Sequence, residues 1–356
     1  MRPRPVATSV DDLVAGASSR VPMAVDDSKS GARFERVVID DEPFVLKHVD
    51  HRDDWIMRQT GDIGCVPVRV WESGVFDLLP DCIEHATVGA ARERHGGAVL
   101  MRDVGEWLIP SGDGRIAPEQ HLRVLDHLAT LHASLWGWTD TIGLMPAANR
   151  YSFFGPAALD CEAALGFPQP VPRIAAEGWR RLDAASPELA DALRTLRRAP
   201  WPLFDALAET PSAFLHGDTK FGNIGTRPDG RTVMVDWSMT GAGPPIAEVT
   251  HSLVLNRARI PRELARDATV NAYRAALERH GIDTSRWFDR QLALCFVGVM
   301  LQLGWEKAFD ETGEELAWWR DCTVDTAREL MRACPPRRRT RLRQSKRSGC
   351  SSVIFW

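Results

Sequence analysis

His216-Gly217-Asp218-Thr219-Lys220-Phe221-Gly222-Asn223 is followed, thirteen residues after the asparagine, by Asp236-Trp237. Phosphoryl transfer needs one carboxylate to orient a hydroxyl and accept its proton. It also needs an Asn/Asp pair to hold Mg²⁺ against nucleotide phosphates. Those three residue types stand here in that order, at the spacing this chemistry uses. A lone His-Gly-Asp is an ordinary turn and a lone Asp-Trp carries no information. The signal lies in their conjunction with the elements between them.

Those elements are legible. Arg227-Pro228-Asp229-Gly230 is a strong turn signal, with Pro fixing φ and Gly supplying positive φ. It separates Asn223-Ile224-Gly225-Thr226 from the β-branched run Arg231-Thr232-Val233-Met234-Val235, which predicts a hairpin. Folding there sets Asn223 opposite Val235 or Asp236, depending on whether the loop has two or three residues. Cross-strand neighbours stand about 5 Å apart, so an amide and a carboxylate can share one cation at the open end. Upstream, the short apolar run Ala213-Phe214-Leu215 delivers Asp218 on a loop leaving buried structure.

With His-Gly-Asp and Asp-Trp in these places, the chain resembles the aminoglycoside phosphotransferase and choline kinase group, small-molecule kinases on the protein-kinase-like fold. The resemblance implies an α+β, bilobal architecture: a small antiparallel-sheet N-lobe and a larger, mainly helical C-lobe. It implies that Asp218 is the catalytic base and that Asn223 and Asp236 ligate Mg²⁺. Lys220 takes the position that touches the transferring phosphate, and His216 is a structural histidine of the loop. Residues 118–136, with Leu128-Ala129-Thr130-Leu131-His132, are similar to the family's Leu-Ala-x-Leu-His helix beneath the catalytic loop.

The same resemblance requires a nucleotide lobe bearing a lysine. Phe44-Val45-Leu46-Lys47-His48-Val49 is a strand-like run similar to the kinase V-A-I-K strand. Alternation puts Lys47 on one face with Val45 and Val49, a semi-buried setting, and Lys47 is expected to bind the α/β-phosphates of ATP. Phe34 to Ile39 reads as the preceding strand, with Asp40-Asp41-Glu42-Pro43 as the turn. Asp27-Ser28-Lys29-Ser30-Gly31 sits where a phosphate-covering loop belongs, but has one glycine and no G-x-G-x-x-G. An acidic partner for Lys47 is expected on the next helix, within His51 to Thr60. Only Asp53 and Asp54 are available there, Asp54 the better placed, and Asp62 lies beyond a glycine. Asp236-Trp237-Ser238 is followed by no activation-segment signature, which argues against a protein kinase.

Length and composition fit. A chain of 356 residues with 44% hydrophobic content can bury a full core. Strand-like runs fill residues 18–103 and end in Gly97 to Met101, before a hinge-like Arg102 to Gly105. Helical spacing takes over from residue 118, as in Leu122, Leu125, Leu128 and Leu135, and again in Leu292, Phe296, Val299 and Met300. The expected division is therefore a nucleotide lobe over 1–103, a catalytic and substrate lobe over 104–335, and a tail over 336–356. Leu292 to Trp305 is too short to span a bilayer and reads as a buried helix. Seven scattered cysteines with no C-x-x-C predict a reduced, cytoplasmic protein. Met1 to Val25 shows no apolar signal-peptide core.

The acceptor is less legible. Trp305, Trp318 and Trp319 cluster in sequence with Asp310, Glu311, Glu314 and Glu315. They read either as a site for a cationic substrate or, more simply, as an amphipathic helix with solvated carboxylates. Residues 337–347 carry seven positive charges in a chain of formal charge −4, which leaves the rest near −11. That run reads as a solvated tail, as an arm for nucleic acid or an anionic surface, or as an intramolecular contact with the acidic body. Three functions compete. One is an ATP- and Mg²⁺-dependent phosphotransferase acting on a small hydroxylated molecule of the aminoglycoside, amino sugar or amino alcohol class. The others are a nucleotide-binding pseudokinase scaffold and a two-metal phosphohydrolase using Asp218 and Asp236. The last is disfavoured because no cluster of histidines and aspartates supplies further ligands.

Overall fold

The computed structural model describes residues 1–25 and 28–333. The tail, its basic run and Asp27 of the phosphate-covering segment therefore lie outside the described residues. The N-terminal part is built on five antiparallel strands: β1 (Ala17–Met23), β2 (Arg33–Ile39), β3 (Glu42–Asp50), then β5 (Thr87–Glu93) and β6 (Gly96–Arg102), in the order β1-β2-β3-β6-β5. Between β3 and β5 lie α2 (Trp55–Thr60), α3 (Val66–Ser73) and the short β4 (Ile83–His85); α1 (Val10–Leu13) precedes the sheet.

Both faces of this sheet are covered. Val37, Leu46, Ala98 and Leu100 pack with Val10 and Val14 at α1. On the other face, Val49, Val99 and Ala90 pack with Met57 of α2, Cys65 and Val68 of α3. The alternation read from the sequence holds, so Lys47 lies on the α2–α3 face. Two expectations needed adjustment. The β2–β3 turn has only two residues, Asp40 and Asp41, both at positive φ (50° and 64°), and the strand resumes at Glu42. Aspartate is among the few non-glycine residues that tolerate this region. The helix expected from His51 starts only at Trp55, because Asp54 is its cap: its Oδ1 accepts from Ile56 N–H at 2.9 Å and from Met57 N–H at 3.1 Å.

After β6 the chain passes through a short 3₁₀ turn into α4 (Pro118–Ser134), α5 (Ala147–Ser152), α6 (Pro156–Ala164), α7 (Pro170–Ala185), α8 (Pro187–Arg194) and α9 (Trp201–Ala208). The strands β7 (Ala213–Leu215), β8 (Ile224–Thr226), β9 (Thr232–Met234) and β10 (Gly241–Gly243) follow. Then come α10 (Ile246–Asn256), α11 (Asp267–Arg279), α12 (Phe288–Lys307) and α13 (Glu314–Ala333). Helix α12 is packed by α5, α7, α9, α10 and α13. That explains why it is apolar nearly all round and shows no amphipathic stripe. Among the described residues, no helix is long and apolar enough to cross a membrane.

The hairpin forms as read. β8 and β9 pair antiparallel with Ile224 opposite Met234. Arg227 N–H donates to Arg231 O at 2.9 Å, which leaves a three-residue loop. Asn223 accordingly faces Val235, whose N–H donates to Asn223 O at 2.9 Å, and Asp236 is the next residue out. β4 adds to this hairpin in parallel, Ile83 beside Thr232. Glu84 on β4 gathers Arg102 at 2.6 Å and Arg231 at 3.1 Å, together with Arg227.

Candidate active site

Five positions named from the sequence converge on one cleft between the sheet and the helices. Lys47, Asp218, Lys220 and Asp236 line a cavity of about 100 Å³, together with Ser30 and Asp54. Asn223 joins them through Asp218: its Nδ2 donates to Asp218 Oδ2 at 2.8 Å and to the Asp218 carbonyl at 3.2 Å. Nδ2 is thereby committed to the aspartate, which leaves the Asn223 amide oxygen as the atom suited to a hard cation.

Lys47 is buried, and its Nζ lies 2.7 Å from Asp236 Oδ1. Ser238 Oγ donates to the same carboxylate oxygen at 2.6 Å. Burial opposes the charge on Asp236, but Lys47, Ser238 and the charge of Lys220 outweigh it and hold the carboxyl well below the usual carboxylate range. Asp236 also adopts the left-handed conformation, φ 63° and ψ 67°. That backbone is uncommon for a non-glycine residue and tends to persist where surrounding structure over-determines it.

The acidic partner guessed for Lys47 sits elsewhere than expected. Lys47 makes its ion pair with Asp236, whereas Asp54 spends Oδ1 on capping α2. Asp54 still faces the cavity; burial raises its pKa, and the positive charge of Lys47 partly offsets this. Asp62, also on the cavity wall, is pushed up to about 6 by burial, and receives the Val66 N–H on both carboxylate oxygens. Trp55 ties the covering segment to α2, its backbone N–H donating to Ser30 O at 3.0 Å and its indole to Lys29 O at 2.7 Å.

The loop carrying Asp218 rests on a buried polar network. His216 is fully buried, hydrogen-bonded through Nε2 to Val235 O at 3.0 Å, with its ring edge-on to Trp237 at 4.5 Å. Its carbonyl accepts from Thr240 Oγ1 at 3.0 Å. Gly217, at φ 88°, donates its N–H to Glu248 Oε1 at 2.6 Å. A side chain at that position would run into the Met239 carbonyl, so the glycine is required there. The other oxygen of Glu248 meets His132 Nε2 at 2.7 Å, and His132 Nδ1 meets the Tyr273 hydroxyl at 2.7 Å. Burial disfavours the Glu248 charge, yet His132 and the Gly217 N–H hold its carboxyl below the ordinary value. On the far side of Asp218, Asn256 accepts from Phe221 N–H at 2.9 Å and donates to Thr219 O at 2.9 Å.

Sequence reading placed His132 under this loop but missed Glu248 and Asn256. The available signal was weak: a glutamate and an asparagine at otherwise apolar positions of Ile246–Asn256. The Trp and acidic run near the end divides as an amphipathic helix would: Trp305 and Trp319 are core, and Glu311 and Glu314 are exposed. Trp319 is fully buried, and Glu315 is held by Arg257 at 2.9 Å and Lys307 at 3.2 Å.

A five-stranded antiparallel lobe joined to a helical lobe, with a loop-borne carboxylate facing a strand lysine across the cleft, defines a phosphotransferase of the protein-kinase-like fold. The chain belongs to the phosphotransferase enzyme family, whose sequence profile matches residues 105–284. No curated protein matches it. Among solved structures, it is similar to choline kinase LicA from Streptococcus pneumoniae, at 10% identity and a TM-score of 0.47, over 91% of this chain and 96% of that one. An aminoglycoside phosphotransferase from Alicyclobacillus acidocaldarius gives 13% identity and a TM-score of 0.43, over 90% and 94%. The macrolide 2'-phosphotransferase MphH from Brachybacterium faecium gives 14% and 0.44, over 90% and 93%.

Proposed function

We propose that this protein is a cytoplasmic kinase that moves the γ-phosphoryl group of ATP to a hydroxyl of a small molecule, of the aminoglycoside, amino sugar or amino alcohol class. The observation that carries the reading is the meeting of Lys47, Asp218 and Asp236 in one cavity, with Asn223 bonded to Asp218. The lobes are taken as residues 1–103 and 104–335.

Asp218 is the base: on a loop, half-buried, with Asn223 fixing one of its oxygens, it can accept the proton of an acceptor hydroxyl. Asn223 and Asp236 present one amide oxygen and one carboxylate, a small set of hard oxygen donors. That suits Mg²⁺, which keeps waters and phosphate oxygens for its remaining positions. The ion, when bound, supplies charge neutralisation at the phosphates. Lys47 holds the α/β-phosphates, and Lys220 meets the transferred group. Catalysis of this kind is positioning and electrostatics, so the buried scaffold under Asp218 serves it directly. Among the described residues, no three His, Cys, Asp or Glu side chains gather into a metal cage, which gives the two-metal phosphohydrolase nothing to stand on.

The test is an ATP-consumption screen over aminoglycosides, amino sugars, choline-like alcohols and other hydroxylated metabolites, with Asp218→Asn as the control. Acceptor-stimulated turnover that the variant lacks supports the reading. Nucleotide binding without turnover on any acceptor shifts it to a scaffold, and no nucleotide binding at all rejects both.

A further inference from the structure

A second cavity lies away from the cleft. A cavity of about 160 Å³ is enclosed by α6, α7, α8 and the turn after α8. That is roughly tenfold the room one water requires. It shares no residue with the Lys47–Asp218 cavity. Its charge is lopsided, because Arg194, Arg197 and Arg198 line it with Asp183 as the one carboxylate among the lining residues. Asp183 is itself largely exposed and stands 3.6 Å from Arg194, whose Nε also lies 3.8 Å from the exposed Asp191, long contacts that neutralise little.

Arg197 is the informative member. Its guanidinium stacks on the Trp179 ring at 3.5 Å, which fixes its plane. Its Nε is shut off from solvent and has no hydrogen-bond acceptor among the described residues. Burial pushes its pKa down to about 10; Asp183 opposes that shift, and the charges of Arg198 and Arg194 add to it. Three guanidinium groups lining one cavity repel one another, and an anion seated among them would neutralise that repulsion. Leu182 gives the same cavity an apolar wall.

We infer that the α6–α8 cavity is a binding site for a small oxyanion, a phosphate or phosphate ester, separate from the nucleotide cleft. Arg197 forms its rigid floor, stacked on Trp179, and Arg194 and Arg198 close over it from the surface. The cavity borders α7 and α8, which pack on α12 and α13. A ligand there is thereby joined to the helical lobe and not to the sheet.

Isothermal titration of the full chain with inorganic phosphate and with phenyl phosphate tests this. Arg194 and Arg198 are exposed, so the double variant Arg194→Gln, Arg198→Gln keeps the fold, which its thermal midpoint verifies. Saturable phosphate binding that weakens at least tenfold in this double variant, and persists in Lys47→Met, establishes the site. The Lys47→Met arm keeps this outcome independent of the kinase reading, since phosphate seated in the cleft would be lost there instead. Tighter binding of phenyl phosphate than of inorganic phosphate identifies an ester as the ligand, whereas equal binding identifies the free ion. Absence of saturable binding, wild-type affinity in the double variant, or loss of binding in Lys47→Met overturns the inference.

Discussion

The two walls of the cleft are built on opposite principles. Asp218 on the helical side hangs from a network in which Glu248, His132, Tyr273, Thr240 and Asn256 each hold a specific backbone or side-chain atom. On the sheet side, Lys47 is held by its strand and by one ion pair to Asp236. Buried carboxylates there are imperfectly matched: Asp62 takes backbone N–H donors but, among the described residues, forms no ion pair. Asp218 is fixed by its surroundings, whereas the sheet side keeps buried carboxylates with fewer partners. Under the proposed function, rigidity sits where proton transfer needs sub-ångström placement, and the buried carboxylates opposite are ones that a cation or a proton, not the phosphates themselves, would relieve.

Four substitutions test that contrast, from the largest effect downward. Asp218→Asn leaves the network intact and removes the proton acceptor, so kcat should fall about 10²–10⁴-fold with nucleotide affinity unchanged; wild-type turnover on a verified acceptor would sink the assignment. Glu248→Ala strips the buried carboxylate from His132 and from the Gly217 N–H. Urea unfolding should show a loss of about 3–5 kcal/mol, as for two buried hydrogen-bonding groups left without their acceptor. A loss near zero would mean the loop is not held from below.

Asp62→Asn comes next and concerns pH. Because its folded pKa of about 6 lies above the ordinary 3.8, the folded protein binds the extra proton between pH 4 and 6. The contribution of Asp62 to stability therefore declines as pH rises through that window, by up to about 3 kcal/mol, and is level above it. The variant keeps an oxygen for the Val66 N–H and should lack this decline. Parallel pH profiles for the two proteins would refute the mismatch on the sheet side. The smallest stability change belongs to Lys47→Met. Lys47 is buried, but Asp236 is partly exposed and keeps the Ser238 hydroxyl once the lysine is gone, so unfolding should shift by about 1–2 kcal/mol, below the Glu248→Ala loss. A loss equal to that of Glu248→Ala would erase the difference between the two walls.

What the sequence made legible follows the same divide. Asp218, Asn223 and Asp236 were readable because their placement is local: a turn signal and a β-branched run fix the hairpin, and the hairpin fixes the spacing. Lys47 was singled out by the likeness of its strand to the kinase V-A-I-K strand, and alternation put it on a face with Val45 and Val49. The bond from His132 to Glu248, and the one from Asn256 back to Thr219, join distant segments and leave no periodic trace. Asp54 carries an N-cap signature ahead of Trp55-Ile56-Met57, and reading it as a partner for Lys47 overlooked that local competitor for its oxygen.

The parallel pairing of β4 with β9 has a mechanical consequence. It ties the hairpin that ends in Asp236 to the strand feeding β5, and Thr232 N–H donates across it to Cys82 O at 2.9 Å. For a swing of one lobe against the other about that seam, travel would grow with distance from it. β1 lies four strands from β5 in the sheet, about 19 Å at the usual strand spacing. Exchange of nucleotide is then expected to sweep the β1–β2 edge while Asn223 and Asp236 stay nearly still. Hydrogen exchange at the Thr232 amide should be slow and unchanged by nucleotide; acceleration on nucleotide release would move the spine elsewhere.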